Sequence, residues 1–225
     1  MAVKFPKRRR INEEKRFTRS ELAEQQLTAY LEVLEELQFN VQAQGHPNVN
    51  RLVDVVFDSG RSGPGLGLVF PLASMNFHQA LQKKICGLGP ARGFYKAALA
   101  AGRHIHSSRI LHTDIKPSNF LLLLAPRTVS GWMLVAPDGG RYQVVLADFG
   151  SAQLDVSGAR AFLRRDQLEK GKSLGVATWT HRAPEVQYGC ALFGAAVDVW
   201  AIGVCAWEVV HGGLQFRPES PSECP

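Results

Sequence analysis

Cysteine is scarce in this 225-residue chain, and the four present (Cys86, Cys190, Cys205 and Cys224) lie far apart. They show neither CxxC spacing nor the density of a disulfide framework, so they read as buried or free thiols in a reducing compartment. Long apolar runs are missing too, and none approaches the ~20 residues that span a bilayer. The opening MAVKFPKRRR contains no apolar stretch of the signal-peptide kind. These absences lead to the expectation of a soluble intracellular domain with no membrane partner. Glycine (21) and proline (12) are not in excess, and 45% of residues are apolar against 20% charged. A disordered tail, a collagenous chain and a coiled coil are excluded on that composition.

What is present is enough sequence for one substantial domain or two small ones. The net charge is +6, from 26 basic and 20 acidic residues. Much of the excess sits in Lys7-Arg8-Arg9-Arg10 and Arg164-Arg165. These read as solvated loops, with a nuclear-import signal at PKRRR as the other reading. No aromatic stacking pattern accompanies them, so no nucleic-acid partner is expected.

A helix is expected from about Thr18 to Ala43, a stretch without Gly or Pro in which Leu27, Leu31, Leu34 and Val41 fall on a 3–4 spacing. Strands are expected over 49–57 and 66–72, antiparallel neighbours across a glycine-rich turn. Helical patterns follow over 76–84 and 91–107, then short strands over 120–124 and 144–147. Residues 151–181 show little periodicity, and loops of that length in compact domains are usually functional or disordered. A helix over 197–210 is apolar almost all round. This order predicts an α+β fold with a small strand-bearing part and a larger helical part.

Three segments carry chemistry: HTDIKPSN (112–119), ADFG (147–150) and RAPE (182–185), the last just before Asp198-Val199-Trp200 and Gly203. Taken alone, Asp114 or Asp148 would read as a helix or turn cap. Their order and intervals resemble the catalytic lobe of eukaryotic protein kinases. Upstream, Ala2-Val3-Lys4 resembles the strand bearing that family's nucleotide-binding lysine, and HPNVNRLVDVV and LVFPL resemble strands leading to its hinge. The resemblance implies a two-lobe fold, with residues 1–72 a partial N-lobe and 73–225 a C-lobe.

It also implies transfer of the γ-phosphate of ATP to a protein hydroxyl, with ATP and Mg²⁺ as cofactors. Asp114 would be the general base and Lys116 a point charge at the γ-phosphate. Asn119 and Asp148 would hold magnesium, which takes its other oxygens from nucleotide and water. Lys4 would grip the α/β-phosphates, paired with Glu36 in preference to Glu35, although Asn40 then stands where the family expects an apolar residue. Phe70 resembles the gatekeeper; Pro71 would follow it, its carbonyl bonding the adenine amine, with Ala73 the hinge N–H donor and Leu121 the floor of the adenine slot. His112, Phe149, Glu185 and Asp198 would be structural. Thr178 matches the threonine bonded to the catalytic Asp and Lys, and Ser173 aligns with the phosphorylated position of the activation segment.

Lys116 implies serine/threonine specificity, and RAPEV and AAVDVW resemble the CMGC group that includes cyclin-dependent kinases. KPSNFL resembles a cell-division-cycle kinase, and the loop around Val176–Arg182 is expected to prefer proline after the acceptor. Thr113 stands where many kinases carry an arginine that pairs with a phosphate, so phosphorylation lacks its main charge partner. HTDIKP also occurs in SR-protein kinases, which are active. The family's glycine-rich loop and last helices are not found, so a chain truncated at both ends is expected, with Glu185 poorly compensated. The segment between Leu124 and Val144 exceeds the usual turn and receives no role. The partners expected are a protein substrate and a regulatory protein, with the chain itself a monomer. The alternative is a non-catalytic kinase-like module acting through protein binding.

Overall fold

In the computed structural model, residues 1–5, 19–58, 65–85, 87–125, 133–135, 139–155, 161–162, 178–188 and 192–213 are described. In chain order the elements are β1 (Ala2–Lys4), α1 (Arg19–Gln42), β2 (Asp54–Asp58), β3 (Gly65–Phe70), β4 (Met75–Asn76), α2 (Phe77–Gln82) and α3 (Leu88–Ser107). Then come β5 (Ile110–Leu111), β6 (Phe120–Leu124), β7 (Met133–Val135), β8 (Arg141–Leu146), β9 (Gln153–Leu154) and β10 (Ala161–Phe162). α4 (Pro184–Gln187), β11 (Leu192–Phe193) and α5 (Ala196–His211) complete the series. This is an α+β fold with a small sheet-bearing N-terminal region and a larger part dominated by helices. Among the described residues no helix is long and apolar enough to cross a membrane.

β3 is central in an antiparallel sheet of order β1-β3-β2, and its run Leu66–Phe70 is buried, as a strand with neighbours on both edges and a covered face should be. Register pairs Ala2 with Phe70 and Lys4 with Leu68, so Ala2 and Lys4 share one face of the sheet. Over the strand, Phe5 and Val3 close on Gly67, where a Cβ would lie 2.7 Å from the Phe5 ring, so a larger residue would have to push that exposed ring aside. The strand expected over 49–57 begins late, at Asp54. Residues 48–50 are bonded elsewhere: the Asn48 side chain donates to the Val144 carbonyl and the Asn50 N–H to that of Leu146. The chain crosses to the second sheet before joining the first.

α1 forms over the expected span, but its leucine stripe does not face the core. Leu27, Leu31, Leu34 and Val41 are exposed, while Val33, Glu36, Phe39 and Asn40 are buried. The buried face lies against β3 and the turn at Phe149–Ser151. Periodicity identifies residues that share a face; the partner decides which face turns inward.

The second sheet has the order β4-β6-β8-β7. Within it, β7 was not anticipated: three residues of the long 124–144 segment add an edge strand to β8 and bury Leu134 against α3. Asn76 caps α2, accepting from the Gln79 N–H while the Gln79 side chain accepts from the Asn76 N–H. The core beneath is aromatic and alanine-rich: Phe77, Phe94 and Phe120 form a chain with centroids 4.5 and 4.8 Å apart. Ala97, Ala98, Ala101 and Ile105 of α3 are buried beside Ile202 and Cys205 of α5. α5 is not covered all round, since Val199 and Trp200 are exposed. In the 151–181 stretch, β9 pairs with β5, and β10 pairs with β11. Both basic clusters, Cys86, Cys190, Cys224 and Ser173 lie outside the described residues.

Phe94 is fully buried, whereas its neighbour Tyr95 is exposed. Phe94→Ala is therefore expected to lose about 3–5 kcal/mol of unfolding free energy, and Tyr95→Ala to stay within about 0.5 kcal/mol; chemical denaturation of the two side by side measures this.

Candidate active site

The 112–119 loop is held from below by a single buried carboxylate. Asp198, 1% exposed at the start of α5, accepts at Oδ1 from the Thr113 N–H (2.9 Å) and at Oδ2 from the His112 N–H (2.8 Å). His106 Nε2 lies 2.9 Å from Oδ2 as well. A buried carboxylate needs such partners, and the loop amides need an acceptor. Thr113 has φ 62, a region costly for a β-branched residue. Its hydroxyl donates to the Ser151 carbonyl at 2.6 Å, so both backbone and side chain are tied. His112 is fully buried, with Nε2 3.0 Å from the Ala147 carbonyl and Nδ1 accepting from the Asp114 N–H. Its ring packs on Phe149 at 5.1 Å.

Above this base the Asp114 carboxylate is fixed at both oxygens. Oδ1 accepts from the Thr178 N–H (3.2 Å) and hydroxyl (3.1 Å). Oδ2 lies 2.7 Å from Lys116 Nζ and 3.2 Å from Asn119 Nδ2. Lys116 also donates to the Thr178 hydroxyl at 3.0 Å, and Asn119 Nδ2 to the Asp114 carbonyl at 2.8 Å. The Asn119 nitrogen is committed, which leaves its amide oxygen for another partner. Glu185, on α4, is half-buried, with no ion pair among the described residues.

Lys4 joins the two sheets. Its Nζ is 2.7 Å from Glu36 Oε1 and 2.6 Å from Asp148 Oδ1. Glu36 is 7% exposed; Glu35, one residue earlier, points outward. Asn40 donates to the Glu36 carbonyl at 2.8 Å, a polar bond inside the buried face of α1. Burial alone would push the Lys4 ammonium down, but Glu36 and Asp148 outweigh it and hold its pKa above the ordinary lysine value. Burial likewise pulls Asp148 up, yet Lys4, with His112 and the Gly150 N–H, brings its carboxyl below the ordinary range. Both groups are charged at neutral pH. Gly150 makes this approach feasible, since a Cβ there would sit 3.3 Å from Asp148 Oδ1 and 3.5 Å from Glu36 Oε2.

These side chains line one cleft of about 430 Å³, together with Ala2, Phe70, Ala73, Leu121 and Ala147. Polar residues from the sequence reading (Lys4, Glu36, Asn119, Asp148) and the apolar ones (Phe70, Ala73, Leu121) thus meet in a single cavity. Asp114 and Lys116 stand beside it, tied through Asn119. Among the described residues no group of three His, Cys, Asp or Glu could hold a metal alone. One carboxylate and one amide oxygen suit magnesium when phosphate and water supply the rest, and the donor set here fits that ion. Asn50, Ser118 and Gln79 also line the cleft; Asn50 and Ser118 lie inside segments that carry the resemblance but match no role in it, and Gln79 belongs to no recognisable motif.

The family model for the protein kinase domain matches residues 1–223. Mitogen-activated protein kinase 15 of Rattus norvegicus is 30% identical over 175 residues, covering 76% of this chain and 27% of that protein. Extracellular signal-regulated kinase 2 of Dictyostelium discoideum is 28% identical over 189 residues, 82% of this chain and 44% of that protein. Probable serine/threonine-protein kinase glkA of the same organism is 26% identical over 171 residues, 76% of this chain and 30% of that protein. The chain therefore spans less than half the length of these relatives. With the cleft, the two anchored loops and this match over nearly the whole sequence, the chain belongs to the protein kinase domain family.

Proposed function

We propose that this chain transfers the γ-phosphate of ATP to serine or threonine hydroxyls of a protein substrate. The observation that carries the reading is the Asp114 carboxylate, fixed by Thr178, Lys116 and Asn119 at the edge of a cleft whose other polar wall is Lys4, Glu36 and Asp148. Phosphoryl transfer asks mainly for positioning and charge neutralisation, and this arrangement supplies both.

Asp114 accepts the hydrogen bond of the acceptor hydroxyl and takes its proton; its lone pairs are already oriented by Thr178. Lys116 brings a positive charge beside that carboxylate, toward the γ-phosphate. Lys4, kept protonated by two carboxylates, holds the α/β-phosphates, and Glu36 keeps it aimed. The Asn119 amide oxygen and the Asp148 carboxylate would hold magnesium, which supplies charge neutralisation at the phosphate oxygens when bound. Phe70, Ala73 and Leu121 form the base-binding end. The serine/threonine kinases among the relatives support the choice of acceptor.

Purified 1–225, incubated with labelled ATP, magnesium and a generic basic protein, is expected to transfer label, and Asp114→Asn to lose at least about 100-fold of that rate. Equal signal from both proteins overturns the assignment of Asp114. Absence of magnesium-dependent ATP binding by the unsubstituted chain instead favours a non-catalytic module.

Lys4→Met is expected to weaken Mg·ATP binding about tenfold in calorimetric titration. The same substitution removes the main influence holding Asp148 low while its burial remains. Asp148 is then expected to titrate at higher pH than in the unsubstituted chain, which carboxyl-carbon NMR reads directly.

A further inference from the structure

Two asparagines in the segment HPNVNRL are buried, Asn48 at 1% and Asn50 at 3% exposure. The Asn48 side chain donates to the Val144 carbonyl at 2.7 Å. Asn50 differs. Its backbone N–H is used by the Leu146 carbonyl, but its side-chain Oδ1 is buried without a hydrogen-bond partner. The residue lines the cleft with Phe70 and Ala147, where the end of β3 faces the end of β8. No other cleft-lining residue among the described ones carries such an atom.

An unpaired buried amide oxygen is costly, whereas an apolar side chain of similar size at the same place is not. Next to Phe70 and Ala147 an aliphatic residue would pack without penalty, so the carboxamide there calls for a ligand. An amide oxygen takes an N–H or O–H donor. Phosphate oxygens at neutral pH offer none and belong with Lys4. A flat ring between apolar walls that carries an amine offers one in the right surroundings. Asn50 borders the cavity, and its last side-chain torsion, broad for asparagine, sets which of the two amide atoms faces it.

Resting on the nucleotide reading above, we propose that Asn50 is a base-recognition residue, its side-chain oxygen accepting, directly or through one water, from the second N–H of the exocyclic amine of an aminopurine nucleotide, the first being left to the Pro71 carbonyl. A site of this kind rejects ligands that lack the donor, because the buried oxygen is then left unpaired.

The test compares binding of the magnesium complexes of ATP and of purine riboside 5′-triphosphate, which lacks the amine, to 1–225 and to Asn50→Val. The preference for ATP is expected to be about fivefold greater in the unsubstituted chain than in Asn50→Val. Asn50→Val without nucleotide is expected to melt about 2 °C higher, since an unpaired group has been removed. Equal preference in the two proteins, with binding intact, overturns the role of Asn50 alone; a structural asparagine would give that result with a lower melting temperature. Failure of the unsubstituted chain to bind either triphosphate overturns this proposal together with the nucleotide reading.

Discussion

One buried carboxylate organises the rest of the site. Asp198 satisfies two consecutive backbone N–H groups at the head of the 112–119 loop and contacts His106 of α3. Without it, two buried donors would be stranded, at about 1–3 kcal/mol each, and Thr113 would have little reason to keep a positive φ. Everything above depends on this footing: His112 reaches Ala147, the Thr113 hydroxyl reaches Ser151, and Asp114 is presented to Thr178, Lys116 and Asn119. α5 is thereby both a core helix and the support of a polar loop, which explains a buried carboxylate in its first turn.

Lys4 performs the corresponding task across the cleft. A single ammonium bridges the long helix, through Glu36, and the turn before Phe149, through Asp148. Two carboxylates so close would repel; the lysine makes their approach favourable, and Gly150 leaves the room. The cavity is then lined by charge on one side and by Phe70, Leu121 and Ala147 on the other. That polarity along one cleft is what the proposed nucleotide reading rests on.

The short motifs were legible because each couples an unusual residue order to a structural transition, and the strands and helices around them followed from composition. Glu36 and Glu35 are chemically alike, and only the packing of α1 on β3 and on the Phe149 turn distinguishes them. The same packing turned Leu27, Leu31, Leu34 and Val41 outward, an outcome that spacing alone could not decide. β7 escaped notice because its three residues acquire strand character only beside β8. Asn50 was read as part of a strand; its place in the cleft depends on a backbone bond to Leu146, nearly a hundred residues later, which has no local signature.

The footing of the loop has a temporal consequence. Asp198 lies 86 and 85 positions beyond the two amides it holds, and contacts of such separation form only after a large loop of chain has closed. On a ribosome, residues 112–114 leave the tunnel long before residue 198 is made. Until α5 emerges and docks, the nascent chain can bury its phenylalanines and place Ser151 near the Thr113 hydroxyl, but it lacks the carboxylate that holds the Thr113 backbone N–H. The full set of bonds around the 112–114 loop thus arrives with completion of the helical core, and half-made chains carry these residues without their arrangement.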